Sequence, residues 1–116
     1  ADMAIIRDAL ARGIQDYTAC VEWIVATYGS DIRAVHAGAV PFLKLAGIVC
    51  GGWQLARAAD IATRRLAQEG CDRDFLNAKV ITARFYAEHL MTRVAGLRQT
   101  MIHGAASTMA LPAGQF

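Results

Sequence analysis

The sequence predicts an all-α protein that folds as an antiparallel up-and-down bundle of three long helices, with or without a short fourth helix at the C-terminus. Three observations support this prediction. Helix-ending and helix-capping residues cluster at only two interior places, apolar residues between them recur at steps of three and four, and no alternating β-branched runs occur. The expected helices cover about residues 2–28, 32–68 and 72–103, followed by a tail over 104–116.

The first predicted helix ends at a turn signal. Gly29 is a typical helix-ending residue, and Ser30 or Asp31 can cap the helix that follows. One side of this helix is expected to face the core, because its apolar residues recur with helical spacing: Leu10, Ile14, Tyr17, Val21, Ile24 and Tyr28.

The second predicted helix is the most apolar part of the chain. Between residues 34 and 56 only His36, Lys44 and Gln54 interrupt a continuous apolar run. A helix that is apolar all round is either buried on several sides or lies in a membrane. Lys44 inside a span costs about 3 kcal/mol, and Pro41 further weakens an isolated span. We therefore expect a central buried helix, with the membrane as the less favoured alternative.

This helix also carries the candidate interface. A glycine inside a helix costs about 1 kcal/mol relative to alanine, so close packing is expected to compensate for it. Packing within the bundle and contact with a second subunit or an upstream domain both satisfy this expectation. The candidate packing and interface residues are Pro41, Phe42, Gly47, Gly51, Gly52 and Trp53.

The third predicted helix begins after Gly70, with Asp72 as its N-cap and Asp74 in its first turn. Arg84 and Glu88 are one turn apart and are expected to form an ion pair. The expected core stripe comprises Leu76, Val80, Ala83, Ala87, Leu90, Val94, Leu97 and Met101. Three helices with short connections pack antiparallel, so residues 1–116 are expected to form a single domain.

Composition and motifs argue against several functions. A net charge of +2, from 12 basic and 10 acidic residues spread along the chain, gives no basic stripe for nucleic acid. No Glu-x-x-His pair, nucleophile motif or glycine-rich phosphate loop occurs, so we expect no catalytic, cofactor-binding or metal-binding residues in this chain. Three cysteines without metal-site spacing favour reduced thiols and a cytoplasmic location.

Three segments resemble the C-terminal domain of the long bacterial acyl-CoA dehydrogenases. They are Ala37–Ala59, Ala78–Leu90 and Met109–Pro112 before the terminal Phe116. The resemblance covers about residues 30–116. It differs at Thr92-Arg93, where the family carries a Pro-containing pair.

The resemblance implies a parent enzyme, by which we mean a longer polypeptide that removes the α and β hydrogens of an acyl-CoA. In that family a glutamate takes the α proton, and the flavin of FAD accepts a hydride from the β carbon. Both groups belong to upstream dehydrogenase domains. The resemblance further implies that this module packs on those domains and contributes to a homo-oligomer. A module that docks on a membrane surface or on another partner is the alternative.

Overall fold

The computed structural model describes residues 1–116 and contains helices but no strands. The all-α prediction is confirmed, and the short C-terminal helix occurs as α6. A 3₁₀ turn over Ala113–Gln115 follows it. The helices are α1 (Asp2–Thr27), α2 (Ile32–Ala37), α3 (Ala39–Leu66), α4 (Arg73–His89), α5 (Arg93–His103) and α6 (Ala105–Thr108).

The second predicted helix is broken at Gly38 into α2 and α3. Pro41 explains the break, because a proline inside a helix clashes with the carbonyl four residues earlier, here that of Ala37. After the break Pro41 lies in the first turn of α3, where a missing N–H does no harm. Gly38 also allows close packing, since a Cβ there would lie 2.9 Å from the Cγ of Met101.

The third predicted helix is broken between α4 and α5. The N–H groups of Leu90 and Met91 both donate to the carbonyl of Tyr86, over 2.9 and 3.1 Å. The second bond spans five residues, so one extra residue is accommodated at this point. As a result Met91 is buried and Leu90 only half-buried, whereas the sequence stripe placed Leu90 in the core.

The two predicted capping sites are confirmed. The carboxylate of Asp31 accepts a hydrogen bond from the N–H of Ala34, and that of Asp72 accepts one from Phe75, each over 3.1 Å. Gly70 has φ +73°, which a residue with a side chain rarely adopts. This glycine allows the tight reversal between α3 and α4.

Two ion pairs fix the direction of α1. Asp2 pairs with Arg84 over 2.7 Å and Asp16 with Arg98 over 2.9 Å, and the partners are 82 residues apart in both pairs. Equal offsets require that α1 and the α4–α5 segment run parallel and in register. Tyr17 stacks on Phe42, whereas Gly13, earlier on α1, lies next to Val49, later on α3, so α3 runs the opposite way to α1. The order is therefore up, down, up.

The core lies where α1 covers one face of the pair formed by α3 and α4–α5. Met91 is at the centre of this junction, and a Cβ placed on Gly13 or on Gly52 would collide with its side chain. The core contains small residues, so the three helices approach closely. The largest fully buried side chains are Leu45, Met101, Val94 and Cys20.

The expectation that the middle helix is buried on several sides is wrong. One side of α3 packs inward through Leu45, Val49 and Ala59, whereas Val40 and Leu43 are 62% and 72% exposed. Each helix of a three-helix bundle packs against its two neighbours and leaves its outward side uncovered. The apolar run therefore produces an exposed apolar surface on the outside of α3.

The stripe expected on α1 is also partly wrong. Ile14 and Tyr28 are 47% and 56% exposed, and the other members of that stripe are half-buried. The buried residues of α1 are instead Ile6, Ala9, Gly13 and Cys20. Small residues line the contact because they permit close helix approach, while the larger ones flank it.

The molecule is an elongated slab of 67 × 28 × 18 Å. Arg84 lies opposite the first turn of α1, so the earlier part of α4 projects beyond α1 by about 16 Å at 1.5 Å per residue. The accessible surface is 7663 Å². A compact monomer of this mass exposes about 6,200 Å², so the chain leaves about 1,500 Å² more uncovered.

Candidate docking face

The predicted interface residues divide between the inside of the bundle and its surface. Phe42 is half-buried, with its ring stacked on Tyr17 at a centroid distance of 5.6 Å. Pro41 beside it is also half-buried. The contact of Phe42 with Tyr17 anchors the start of α3 on α1, so the part of Phe42 in packing is internal to this chain.

Gly51 and Gly52 allow close approach of α4. A Cβ on Gly51 would lie 2.5 Å from the hydroxyl oxygen of Tyr86, and one on Gly52 would lie 2.6 Å from the sulfur of Met91. The Tyr86 hydroxyl donates to the carbonyl of Ile48 over 2.9 Å. Both glycines are therefore explained by packing within the bundle.

Gly47 and Trp53 differ from the other four candidates. Nothing lies within 4 Å of a Cβ placed on Gly47. Trp53 is 49% exposed, with the guanidinium of Arg57 at 5.4 Å from its ring centre. No contact within this chain compensates for the helical cost of Gly47. Both residues are exposed on α3, but their separation of six residues places them about 120° apart around the helix.

A groove of about 560 Å³ runs along the seam between α3 and α4–α5. We call it the outer groove, and its lining residues are Leu43, Lys44, Gly47, Ile48, Tyr86, Arg93 and Leu97. No residue of α1 lines this groove. Gly47 and Val49 are separated by about 200° around α3, and Val49 packs inward next to Gly13. The pair of helices therefore presents two faces: α1 covers one, and the outer groove occupies the other.

The outer groove is positively charged. Its lining includes Lys44 and Arg93 but no carboxylate. Neither cation forms an ion pair, whereas Arg64, Arg84 and Arg98 are paired with acids elsewhere on the surface. Sequence reasoning treated Lys44 only as an interruption of the apolar run. It missed Tyr86 and Arg93, which are far from Lys44 along the chain and meet it only through the antiparallel packing.

A second open cavity of about 550 Å³ lies at the pole formed by the ends of α1 and α5. Its lining includes Asp31, Arg33 and His103, and Asp31 is already engaged as the cap of α2. Of the other histidines, His36 is exposed and His89 stacks on Phe85 at 4.2 Å. The three histidines do not come together.

The cysteines are separate and unpaired. Cys20 is buried, and burial is the main cause that raises the pKa of its thiol, opposed by the positive charge of Arg98. Cys50 is exposed on α3. Burial likewise raises the pKa of the Tyr86 hydroxyl. No cluster of three histidine, cysteine or acidic side chains is present.

By length and composition, α3 meets the criteria for a membrane-crossing helix. Its most apolar stretch has a mean hydropathy of 1.3, and 17% of that stretch is buried in the bundle. The core helix of a water-soluble protein can meet the same criteria. α3 is the apolar helix of this fold, and most of its apolar stretch is not buried.

Comparison with known proteins identifies similarity over most of the chain. The profile of the family described as acetyl-CoA dehydrogenase C-terminal like matches residues 1–112. The 3-methylmercaptopropionyl-CoA dehydrogenase of Ruegeria pomeroyi is 38% identical over 86 residues. These residues are 74% of this chain but 14% of the relative. The chain thus corresponds to a small part of that enzyme.

Proposed function

The chain belongs to the family of acetyl-CoA dehydrogenase C-terminal-like domains, and we propose that it is a non-catalytic structural module of an FAD-dependent acyl-CoA dehydrogenase. The parent enzyme would oxidise an acyl-CoA thioester between its α and β carbons in the cytoplasm. The module would pack on the upstream dehydrogenase domains of the same polypeptide and stabilise a homo-oligomer.

The observation that carries this proposal is the large uncovered surface. The slab leaves about 1,500 Å² more accessible area than a compact monomer, and a standard protein interface buries about 800 Å² on each partner. The outer side of α3 also exposes Val40 and Leu43. A surface of this size and composition is typical of a module that is covered in its assembly.

We place the flavin and the catalytic base outside this chain. The sequence has no glycine-rich loop for a dinucleotide, and the two cavities of about 550 and 560 Å³ are open surface grooves. Neither groove combines a carboxylate free to act as a base with an enclosed apolar pocket. The residues present therefore do not fit FAD, and we derive no reaction step within the module.

Deletion of residues 1–116 from the parent enzyme tests this proposal. We expect the truncated enzyme to bind FAD and to reduce it in a single turnover with an acyl-CoA. We also expect a lower melting temperature and a smaller oligomer by light scattering. Loss of flavin reduction in a truncated enzyme that is folded and loaded with FAD would refute the non-catalytic assignment.

A second candidate function is a membrane-surface module, supported by the length and exposed apolar side of α3. Flotation with vesicles of phosphatidylcholine and phosphatidylserine tests it on the parent enzyme. Co-flotation that is lost when Leu43 and Trp53 are replaced by serine would favour this candidate. Protein that stays at the bottom of the gradient would reject it.

A further inference from the structure

We propose that the outer groove binds an amphipathic helix from the upstream dehydrogenase domains of the parent enzyme, which we call the dehydrogenase body. Carboxylates on this helix would pair with Lys44 and Arg93. The inference rests on the proposed function, because it assigns the docking surface and the chemistry of its occupant. The docked segment would act as a fourth helix and cover the face of the pair that α1 leaves open.

The geometry of the helix pair supports a helical occupant. Two packed helices form a groove on each side of their seam. On one side α1 fills it, with Gly13 and Tyr17 against α3. On the other side the outer groove is open over about 560 Å³, with Leu43, Ile48 and Leu97 among its apolar residues. A second amphipathic helix would complete a four-helix arrangement by the same packing rule.

Gly47 supports a helical occupant independently of the shape of the groove. Gly51 and Gly52 are explained by Tyr86 and Met91, whereas nothing in this chain approaches Gly47. A glycine in the interior of a helix is disfavoured relative to alanine unless another backbone comes close. Gly47 lies in the outer groove, so a docked helix would supply the approach that this chain lacks.

The positive charge of the groove indicates that the bound helix carries acidic residues. Lys44 and Arg93 have no carboxylate partner, and the groove lining contains none. Two copies of this chain placed groove to groove would bring these cations together without compensation, which opposes a symmetric dimer through this face. A partner helix with aspartate or glutamate beside its apolar residues is complementary to it.

The concave shape separates a protein partner from a lipid surface. An interfacial helix buries a convex apolar side among lipid chains. Here Lys44 and Arg93 lie on different helices, α3 and α5, and line one groove together with apolar residues. A single inserted helix can contact the cations and the apolar residues of this lining at the same time.

Photocrosslinking in the full-length parent enzyme tests the inference. Benzoylphenylalanine is introduced at Leu43 in the groove and, separately, at Val25, which is 75% exposed on α1. We expect the Leu43 probe to crosslink a helix of the dehydrogenase body that carries aspartate or glutamate. The change Lys44→Glu/Arg93→Glu should abolish this crosslink. The matched control Arg12→Glu/Arg65→Glu, which alters two unpaired exposed cations elsewhere, should leave it intact.

Charge exchange completes the test. Replacing the identified carboxylates by lysine should restore the crosslink in the Lys44→Glu/Arg93→Glu enzyme. A crosslink from Leu43 to a second copy of this module, or vesicle binding that requires Lys44 and Arg93, would overturn the inference. A crosslink to the body from Val25 alone would overturn it and leave the proposed function standing. No crosslink to the body from either position would count against both.

Discussion

Tyr86 connects α4 to the middle of α3 through two contacts. Its hydroxyl donates to the carbonyl of Ile48, and a Cβ placed on Gly51 would lie 2.5 Å from the same hydroxyl oxygen. Gly51 is therefore fixed by the ring opposite it, whereas Gly47, one turn earlier, has free space. The two glycines form a matched pair within one helix.

We expect Gly51→Leu to lower the free energy of unfolding by about 1–3 kcal/mol, because the added atoms meet Tyr86 in a filled space. The control Gly47→Leu should not lower it, and the gain in helix propensity is worth up to about 1 kcal/mol. Urea unfolding of the 116-residue chain measures both values. Equal destabilisation by the two changes would contradict this explanation of Gly51.

Cysteine reactivity provides a second residue-scale prediction. The Cys20 thiol has a raised pKa because it is buried, so at a given pH less of it is the reactive thiolate. Cys50 is exposed. At pH 8 we expect iodoacetamide to modify Cys50 in the folded chain and to reach Cys20 only after denaturant is added. Mass spectrometry of the digested protein follows both sites.

The sign of the pH effect on stability follows from the same shift. A raised pKa in the folded state means that the unfolded chain loses the Cys20 proton first as pH rises above 9.0. This contribution to stability is therefore complete below that range and declines in more alkaline solution. Modification of Cys20 at the same rate as Cys50 in the folded chain would show that Cys20 is accessible to solvent and would contradict this prediction.

At the scale of the helices, the Asp16–Arg98 pair joins α1 to α5. The Asp16 side chain is 18% exposed, whereas both partners of the Asp60–Arg64 pair within α3 are much more accessible. We expect a double-mutant cycle with alanine to give a coupling energy of about 1 kcal/mol for Asp16–Arg98 and about 0.3–0.5 kcal/mol for Asp60–Arg64. A larger coupling in the intrahelical pair would show that the Asp16–Arg98 pair contributes little to holding α1 in place.

Local sequence signals predicted the ends of the helices well. Asp31 and Asp72 act as caps as expected, because capping depends on atoms only three residues apart. The two helix breaks were missed for different reasons. Pro41 was a readable signal for the break at Gly38, whereas the five-residue hydrogen bond from Met91 to Tyr86 depends on tertiary packing.

The docking face was only partly predictable. The apolar run identified α3 as the helix with surface to cover, and Gly47 and Trp53 were among the chosen residues. The cationic partner Arg93 could not be found from spacing, because only the antiparallel pairing brings it to Lys44. Hydrophobic periodicity alone also did not identify the contact residues of α1, because Gly13 is buried there whereas Ile14 is exposed.

At the scale of the whole molecule, the slab should be measurable as an elongated particle. The Cα radius of gyration is 18.6 Å, whereas a compact domain of this length has about 13 Å. We expect small-angle X-ray scattering of the 116-residue chain at low concentration to give a value close to that of the slab. A value near 13 Å would mean that the helices collapse differently in solution.

The parallel, in-register pairing of α1 with α4–α5 has a consequence for attachment. A polypeptide joined ahead of Ala1 enters beside Arg84, on the α1 side, whereas Arg93 and Leu97 lie about 14–20 Å further along the rod on the other side. A dehydrogenase body that is joined to Ala1 and also bound at Lys44 would contact the module on two opposite sides. Two separate anchor points would prevent the module from swivelling, which a single tether does not achieve.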